Sequence, residues 1–165
     1  MRADIVPGNT FPDYQLPDHT RTLRKLSELQ GDDPLILTLA RGNYCPKEHQ
    51  QHLELASFYP RIAVGYAQIA TITTDDHHTL QEFRASVGAQ WTFLSDPERM
   101  VQKDLDIQEY TDPENNPMIP HTLVLSPALS FTASTTAPGS GAAPQSPIYG
   151  TPCAASQARF DLTGI

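Results

Sequence analysis

Chemistry concentrates in the stretch LTLARGNYCPKEHQQHLELA, from Leu37 to Ala56. Cys45 comes directly after an apolar run and opens a helical pattern. Pro46 stands where the first turn of a helix tolerates a proline. The N–H groups of such a turn lack internal partners, and the helix dipole favours negative charge beside them. Arg41 lies four residues before the cysteine and Lys47 two after, so positive side chains are close as well. This setting favours the thiolate, the nucleophilic form of cysteine. The bland alternative is a small buried hydrophobe, and position alone favours the reactive thiol.

Cys45, His49 and His52 also fall at helical spacings, which raises a thiolate–imidazole metal site. A closed zinc site needs about four ligands. No further Cys or His pair stands at suitable spacing, and His77 and His78 would point different ways on a helix. No metal and no cofactor is therefore expected, and His49 and His52 are read as a solvated face.

The elements that would position Cys45 follow from local pattern. Gly8 to Gln30 carries turn signals at Pro12-Asp13 and Pro17-Asp18, suggesting a small hairpin and then a helical turn at LRKLSEL. PLILTLA, Pro34 to Ala40, is a continuous apolar run of strand length, as expected for a strand covered on both faces. The helix opened by Cys45 runs to about Tyr59, with Leu55, Ala56 and Tyr59 on one side, and Pro60 ends it. Ala67 to Thr74 is the next strand. Asp75 or Asp76 caps a helix bearing Leu80, Phe83 and Val87, and Gly88 stops it. Trp91 to Leu94 is a short strand, Ser95-Asp96-Pro97-Glu98 starts a short helix, and Thr122 to Leu125 is the last strand. Strands alternating with helices predict an α/β sheet with helices on both faces.

Bulk properties narrow the class. The chain has 165 residues, 39% hydrophobic and 18% charged, which fits one domain with a real core. A net charge of −8 argues against a nucleic-acid partner. No apolar run approaches the roughly 20 residues of a membrane span, and the N-terminus lacks the apolar core of a signal peptide. A cytoplasmic protein without membrane attachment is expected. Its two cysteines, Cys45 and Cys153, make no disulfide framework.

ARGNYCPKEHQQHLELA resembles the active-site region of the AhpC/TSA peroxiredoxins, in the branch with an Arg-Gly-x-x-Cys-Pro motif. The likeness continues through GNTFPDYQLPDHTRTLRKLSEL, WTFLSDPERMVQKDLDI and MIPHTLVLSPAL, covering Gly8 to about Ser130 in the right order. The resemblance implies a thioredoxin-like fold, a mixed sheet flanked by helices, in a redoxin domain over residues 1–130. It implies that Cys45 is the peroxidatic cysteine, reducing hydrogen peroxide or alkyl hydroperoxides through a sulfenic acid. Arg41 would stabilise the thiolate, while Gly42, Pro46, Glu48 and Pro120 shape the pocket. Pro120 matches the family's cis-proline. The implied partners are a small peroxide and thioredoxin or another thiol reductant, and a homodimer is compatible with the resemblance. The alternatives are an inactive thioredoxin-like module and a protein thiol–disulfide oxidoreductase.

Departures from the pattern matter too. Classical peroxiredoxins carry a threonine three residues before the cysteine and a proline seven before; here those positions are Gly42 and Thr38. Glu48 stands where a second cysteine would give Cys-Pro-x-Cys, so no local disulfide forms at that spacing. The family's distant arginine has no clear counterpart, since His121 occupies that region.

From Phe131 the composition turns to Ala, Gly, Pro, Ser and Thr, and residues 131–165 are read as a low-complexity, disordered tail. The resembling family continues instead with a strand and a C-terminal helix. Both are expected to be missing, which would leave Thr122 to Leu125 an exposed sheet edge. Back-translating Ser134 to Pro144 with free third bases and reading two bases later permits Tyr-Asn-Gly-Ser-Trp-Phe-Trp-Gly-Arg-Pro. That is the family's segment but for one residue. The hypothesis is a shifted coding frame near Ser130, and resequencing that showed an intact frame would refute it. Cys153, within this tail, is read as an unpaired exposed thiol rather than a resolving one.

Overall fold

In the computed structural model, residues 1–136 are described. A hairpin of β1 (Gln15–Pro17) and β2 (Leu23–Lys25) leads into the one-turn helix α1 (Leu26–Gln30). Then come β3 (Leu35–Ala40), α2 (Pro46–Val64), β4 (Gln68–Thr73), α3 (His77–Ser86), β5 (Thr92–Ser95), α4 (Met100–Asp104), β6 (His121–Ser126) and β7 (Ser130–Thr136). The main sheet has the order β5-β4-β3-β6-β7. Strands β3, β4 and β5 run parallel, and β6 and β7 are antiparallel.

The apolar run of β3 makes it the central strand. Leu35, Leu37 and Leu39 point to one face and join Leu26 of α1, Val101 of α4, Leu123 and the N-terminal Phe11 in one core. Ile36 lies on the other side of the strand. There Leu55 and Tyr59 of α2 meet Leu80 and Phe83 of α3, with Trp91 and Phe93. Two packed faces explain why the run shows no polar alternation.

Several boundaries differ from expectation. Helix α2 continues through Pro60 to Val64. Proline removes one backbone donor, but Ile62 beyond it still packs against the second core, and that burial carries the helix on. The α3 cap is one of the two residues expected: Asp76, its Oδ1 accepting the Thr79 N–H at 2.9 Å. Helix α4 starts later than Ser95-Asp96, at Met100, and Asp96 is still its anchor: its carboxylate accepts the Met100 and Val101 N–H groups at 2.8 and 2.9 Å.

The largest correction concerns the sheet edge. The strand expected to be missing is present: β7 pairs with β6, Thr136 opposite His121 and Ser130 opposite Ser126. FTASTT lacks apolar periodicity, but its β-branched threonines suit a strand, and an outer strand needs little apolar surface. The disordered tail therefore cannot begin at 131. The expectations for 137–165, including the absent C-terminal helix and exposed Cys153, lie outside the described residues.

Candidate active site

The parallel pair β3–β4 ends at Ala40 and Thr73, and both chains then enter loops at the same edge of the sheet. Loop 41–45 after β3 carries the candidate cysteine. Gly42 adopts φ +121°, and a Cβ there would stand 2.5 Å from Oδ1 of Asp75. Glycine is thus required both by the backbone and by the carboxylate packed against it. That carboxylate holds the loop, since the Asn43 N–H donates to Asp75 Oδ2 at 2.9 Å. Burial pushes the Asp75 carboxyl above its ordinary range despite this bond.

Cys45 is the N-cap residue of α2, with Pro46 in the first helical turn. It is buried, with 6% of its surface exposed. A negative charge on its sulfur meets the positive end of a helix of 19 residues.

Arg41 supplies the second positive charge. Its Nε and Nη2 donate to the two carboxylate oxygens of Glu109 at 2.7 and 2.9 Å. Glu109 is itself held by the Thr111 hydroxyl at 2.8 Å. The fork fixes the guanidinium plane on the Cys45 side of the loop. Burial alone would lower the Arg41 pKa; the sulfur and Glu109 outweigh it, and the pKa lies above the ordinary value. Tyr44 ties the same loop down, its hydroxyl donating to Asp112 at 2.9 Å.

Glu48 sits one turn into α2, 3% exposed. Burial raises its pKa to about 7, with the Arg41 backbone N–H and charge drawing it only partly back. A carboxyl titrating near neutrality beside a cysteine can take or give a proton there. Arg41, Glu48 and Pro120 line a cavity of about 430 Å³ together with Lys47. Four of the expected site residues, Arg41, Gly42, Cys45 and Glu48, thus meet at one end of α2. Pro120 joins them, but not as expected: no peptide bond among the described residues is cis. Pro120 reaches the cavity in the trans form, as an ordinary entry to β6.

The histidines correct a second expectation. His52 is fully buried, and His49 is half-buried with its Nε2 against the Asn43 carbonyl at 2.8 Å. His52 lies among Phe83, Trp91 and Phe93. Its Nδ1 faces the Glu48 carbonyl at 2.8 Å, which accepts only, so the proton is on Nδ1. Nε2 then accepts the Thr71 hydroxyl at 3.3 Å. Thr71 Oγ1 in turn accepts the Trp91 N–H at 2.9 Å and the Thr38 hydroxyl at 2.7 Å. Burial lowers the His52 pKa to about 4. Its ring nitrogens are both engaged, so no electron pair is left for a metal. His121 donates Nδ1–H to the Ile119 carbonyl at 2.8 Å, and the guanidinium at the cysteine is that of Arg41.

Glu109 and Tyr44 escaped the sequence reading, and Asp75 was read only as a helix cap, not as a partner of the Cys45 loop. Glu109 lies 68 residues from Arg41 in a segment without periodicity, and nothing local marks it as a partner.

Comparison with known proteins bears on the fold and the family. None of the curated proteins matches. Among solved structures, the peroxidoxin BcpB from Mycobacterium tuberculosis aligns with a TM-score of 0.71 at 22% identity, over 79% of this chain and 84% of that one. A PrxQ cysteine-to-serine mutant from Xylella fastidiosa gives 0.70 at 17% identity, over 79% and 85%. AhpC from Enterococcus faecalis gives 0.69 at 9% identity, over 79% and 80%. These likenesses establish the thioredoxin-like peroxiredoxin fold. The model of the AhpC/TSA family matches residues 7–130, most of the chain, and the protein belongs to that family.

Proposed function

We propose that the chain is a thiol-dependent peroxidase with Cys45 as its nucleophile, reducing hydrogen peroxide or alkyl hydroperoxides. The observation that carries this reading is the buried Cys45 at the N-terminus of α2, four residues after an Arg41 whose guanidinium is fixed by Glu109. In the reaction the Cys45 thiolate attacks the outer peroxide oxygen. An S–O bond forms, the O–O bond breaks, and the leaving oxygen takes a proton and departs as water or an alcohol. The peroxide is reduced and the sulfur oxidised to sulfenic acid. Glu48, titrating near 7, is placed to relay that proton. Gly42 and Pro46 set the loop and helix start, and Pro120 walls the cavity.

The sulfenic acid must be reduced by an external thiol, thioredoxin or a smaller donor, because Glu48 occupies the position of a local second cysteine. Family membership supports such partners, and a homodimer and a cytoplasmic setting are part of the same proposal. No helix among the described residues is long and apolar enough to cross a membrane. An inactive module is the second reading, favoured by Gly42, which offers no hydroxyl to orient a peroxide.

Peptide mass spectrometry after a stoichiometric dose of peroxide, with dimedone to trap sulfenic acid, separates the two. Fast labelling confined to Cys45 and lost on denaturation is expected. Slow labelling, equal at Cys45 and Cys153, would rule out an activated thiolate.

A further inference from the structure

One half-buried histidine of α2 takes no part in the charge and proton network at Cys45. His49 lies one turn beyond the cysteine, its ring 4.9 Å from that of Phe83 in α3. Its Nε2 is 2.8 Å from the Asn43 carbonyl oxygen and 2.9 Å from Asn43 Oδ1. A carbonyl only accepts, so the proton is on Nε2 and is shared between the two oxygens. On the other side of the ring, Nδ1 faces the Ser86 hydroxyl at 3.5 Å, but that hydroxyl donates to the Phe83 carbonyl at 2.8 Å. The firm attachment of the imidazole is to Asn43.

Asn43 is held from its other side as well, by the bond from its N–H to Asp75 Oδ2 at 2.9 Å. The N–H belongs to the peptide joining Gly42 to Asn43, and the carbonyl to the peptide joining Asn43 to Tyr44. Each peptide is a rigid plane, so one plane is pinned by the loop after β4 and the next by α2. These are the first two planes of a turn that the Cys45 N–H closes onto the Gly42 carbonyl at 3.2 Å. The Cys45 carbonyl then accepts the Glu48 and His49 N–H groups at 3.1 and 3.2 Å, which begins the helix. His49 therefore grips the chain on both sides of the sulfur, its backbone at Cys45 and its ring at Asn43. Burial pushes the Asp75 carboxyl up, so its charge is a costly means of holding a turn that a backbone bond already closes.

We propose that His49 and Asp75 are positioning residues for Cys45, clamping Asn43 between them so that the sulfur is held at the angle that attack on a peroxide requires. The purpose of the clamp rests on the peroxidase reading, whereas the clamp itself can be read without any peroxide. Both side chains act through Asn43 rather than on the reacting oxygen. Displacement of an attacking atom by about 1 Å can slow a reaction about a hundredfold.

The test uses His49→Leu, which keeps an apolar contact for Phe83 and loses the N–H, and His49→Gln, which keeps an N–H donor. Two rates are read on the full chain: oxidation of Cys45 by hydrogen peroxide in stopped flow, and alkylation of Cys45 by iodoacetamide, located by peptide mass spectrometry. In His49→Leu, oxidation should slow on the order of tenfold or more. Alkylation should quicken, because it needs no set angle and the buried sulfur is freed. His49→Gln should bring both rates back close to the parent's. Asp75→Ala should move both rates as His49→Leu does, and Asp75→Asn, whose amide oxygen still accepts, should restore them. This second pair carries the comparison if a denaturant melt shows His49→Leu unfolded. The double variant His49→Leu, Asp75→Ala should be little slower than the worse single one, since both act on one residue. Ser86→Ala should leave both rates alone.

Unchanged rates in His49→Leu would overturn the clamp, and so would His49→Gln behaving like His49→Leu. Oxidation and alkylation slowed in equal measure would overturn it too, because the loss would then lie in the thiolate and not in its position. Multiplied losses in the double variant, or a loss in Ser86→Ala equal to that in His49→Leu, would do the same. Failure of the peroxidase reading looks different: the parent's Cys45 would be oxidised no faster than free cysteine. That result would remove the purpose proposed for the clamp, while the alkylation rates alone would still decide whether His49 and Asp75 hold the loop.

Discussion

Two buried polar networks lie one turn apart on α2, and they are built on opposite terms. The one at the N-terminus is charged and borders a cavity: Arg41 forks onto Glu109, and burial leaves Glu48 titrating at about 7. The one below it is neutral and closed: His52, Thr71, Thr38 and Trp91 satisfy one another, and the imidazole stays uncharged until about pH 4. Burial moves the pKa of each in the direction that keeps the group neutral. A closed network holds the helix against the sheet, whereas an open one leaves charge and a mobile proton where a substrate can use them.

The strongest way to break the contrast is Arg41→Ala. If the open network serves catalysis, peroxide reaction at Cys45 should slow on the order of a hundredfold, the scale of losing a preorganised charge. The variant also strands Glu109 without its partner, which costs about 3 kcal/mol of stability. Stopped-flow oxidation and a denaturant melt read the two effects separately. A rate within a few-fold of the parent's would remove Arg41 from the site.

The pH dependence of folding sharpens it. An unfolded carboxyl like that of Glu48 titrates near 4.5 and an unfolded imidazole near 6.5; in the fold the values are about 7 and about 4. Between pH 4.5 and 6.5 the unfolded chain holds its one proton on His52, while the folded chain holds it on Glu48. The proton counts match, so the pair adds no slope to stability there. Removing either member exposes the other. In Glu48→Gln the unfolded state binds the extra proton, so stability should rise with pH across that window, by about 3 kcal/mol in all. In His52→Leu the folded state binds it, and stability should fall by a similar amount as pH rises toward 7. Urea titrations at several pH values distinguish the signs; parallel profiles for both variants would mean that neither group is perturbed.

Gly42 tests the loop that joins the networks to the sheet. Gly42→Ala should cost about 2 kcal/mol, from the strained φ and the approach to Asp75. Gly42→Thr restores the hydroxyl of the classical motif, yet it should lower the rate, because the side chain displaces Asp75 and with it the Asn43 contact. A faster reaction of the Gly42→Thr variant in the stopped-flow assay would mean that the loop yields.

How much of this was legible follows from the range of the signals. The β3 run, the Cys45 turn and the Asp76 cap are local patterns, and each stands where the sequence put it. Pro60 misled because its effect on a helix depends on what Ile62 buries beyond it, which is a tertiary fact. His52 was misplaced for a similar reason: its spacing from Cys45 was plain, but the aromatic walls that bury it come from α3 and β5. Glu109 left no local mark at all. The cysteine and arginine of the candidate site were readable, while the carboxylate that makes the arginine rigid was not. Strand β7 was missed because polar FTASTT looks like a loop until β6 offers it an edge.

The finest test concerns the direction of hydrogen bonding in the closed network. His52 donates upward to the Glu48 carbonyl and must accept from Thr71, whose oxygen accepts from Trp91. Thr71 is therefore the hub. Thr71→Val keeps the shape but strands a buried indole N–H and an imidazole nitrogen, which should cost about 2 kcal/mol. Thr38 stands at the end of the ladder, where its hydroxyl has both Thr71 Oγ1 at 2.7 Å and the Ala70 carbonyl at 3.3 Å as acceptors. Thr38→Val removes a donor whose acceptors keep other partners, so it should cost less than about 1 kcal/mol. Denaturant melts of the two variants rank them. If Thr38→Val proved the costlier, the proton order would run the other way, with His52 protonated on Nε2 and its Nδ1 left facing a carbonyl without a hydrogen between them.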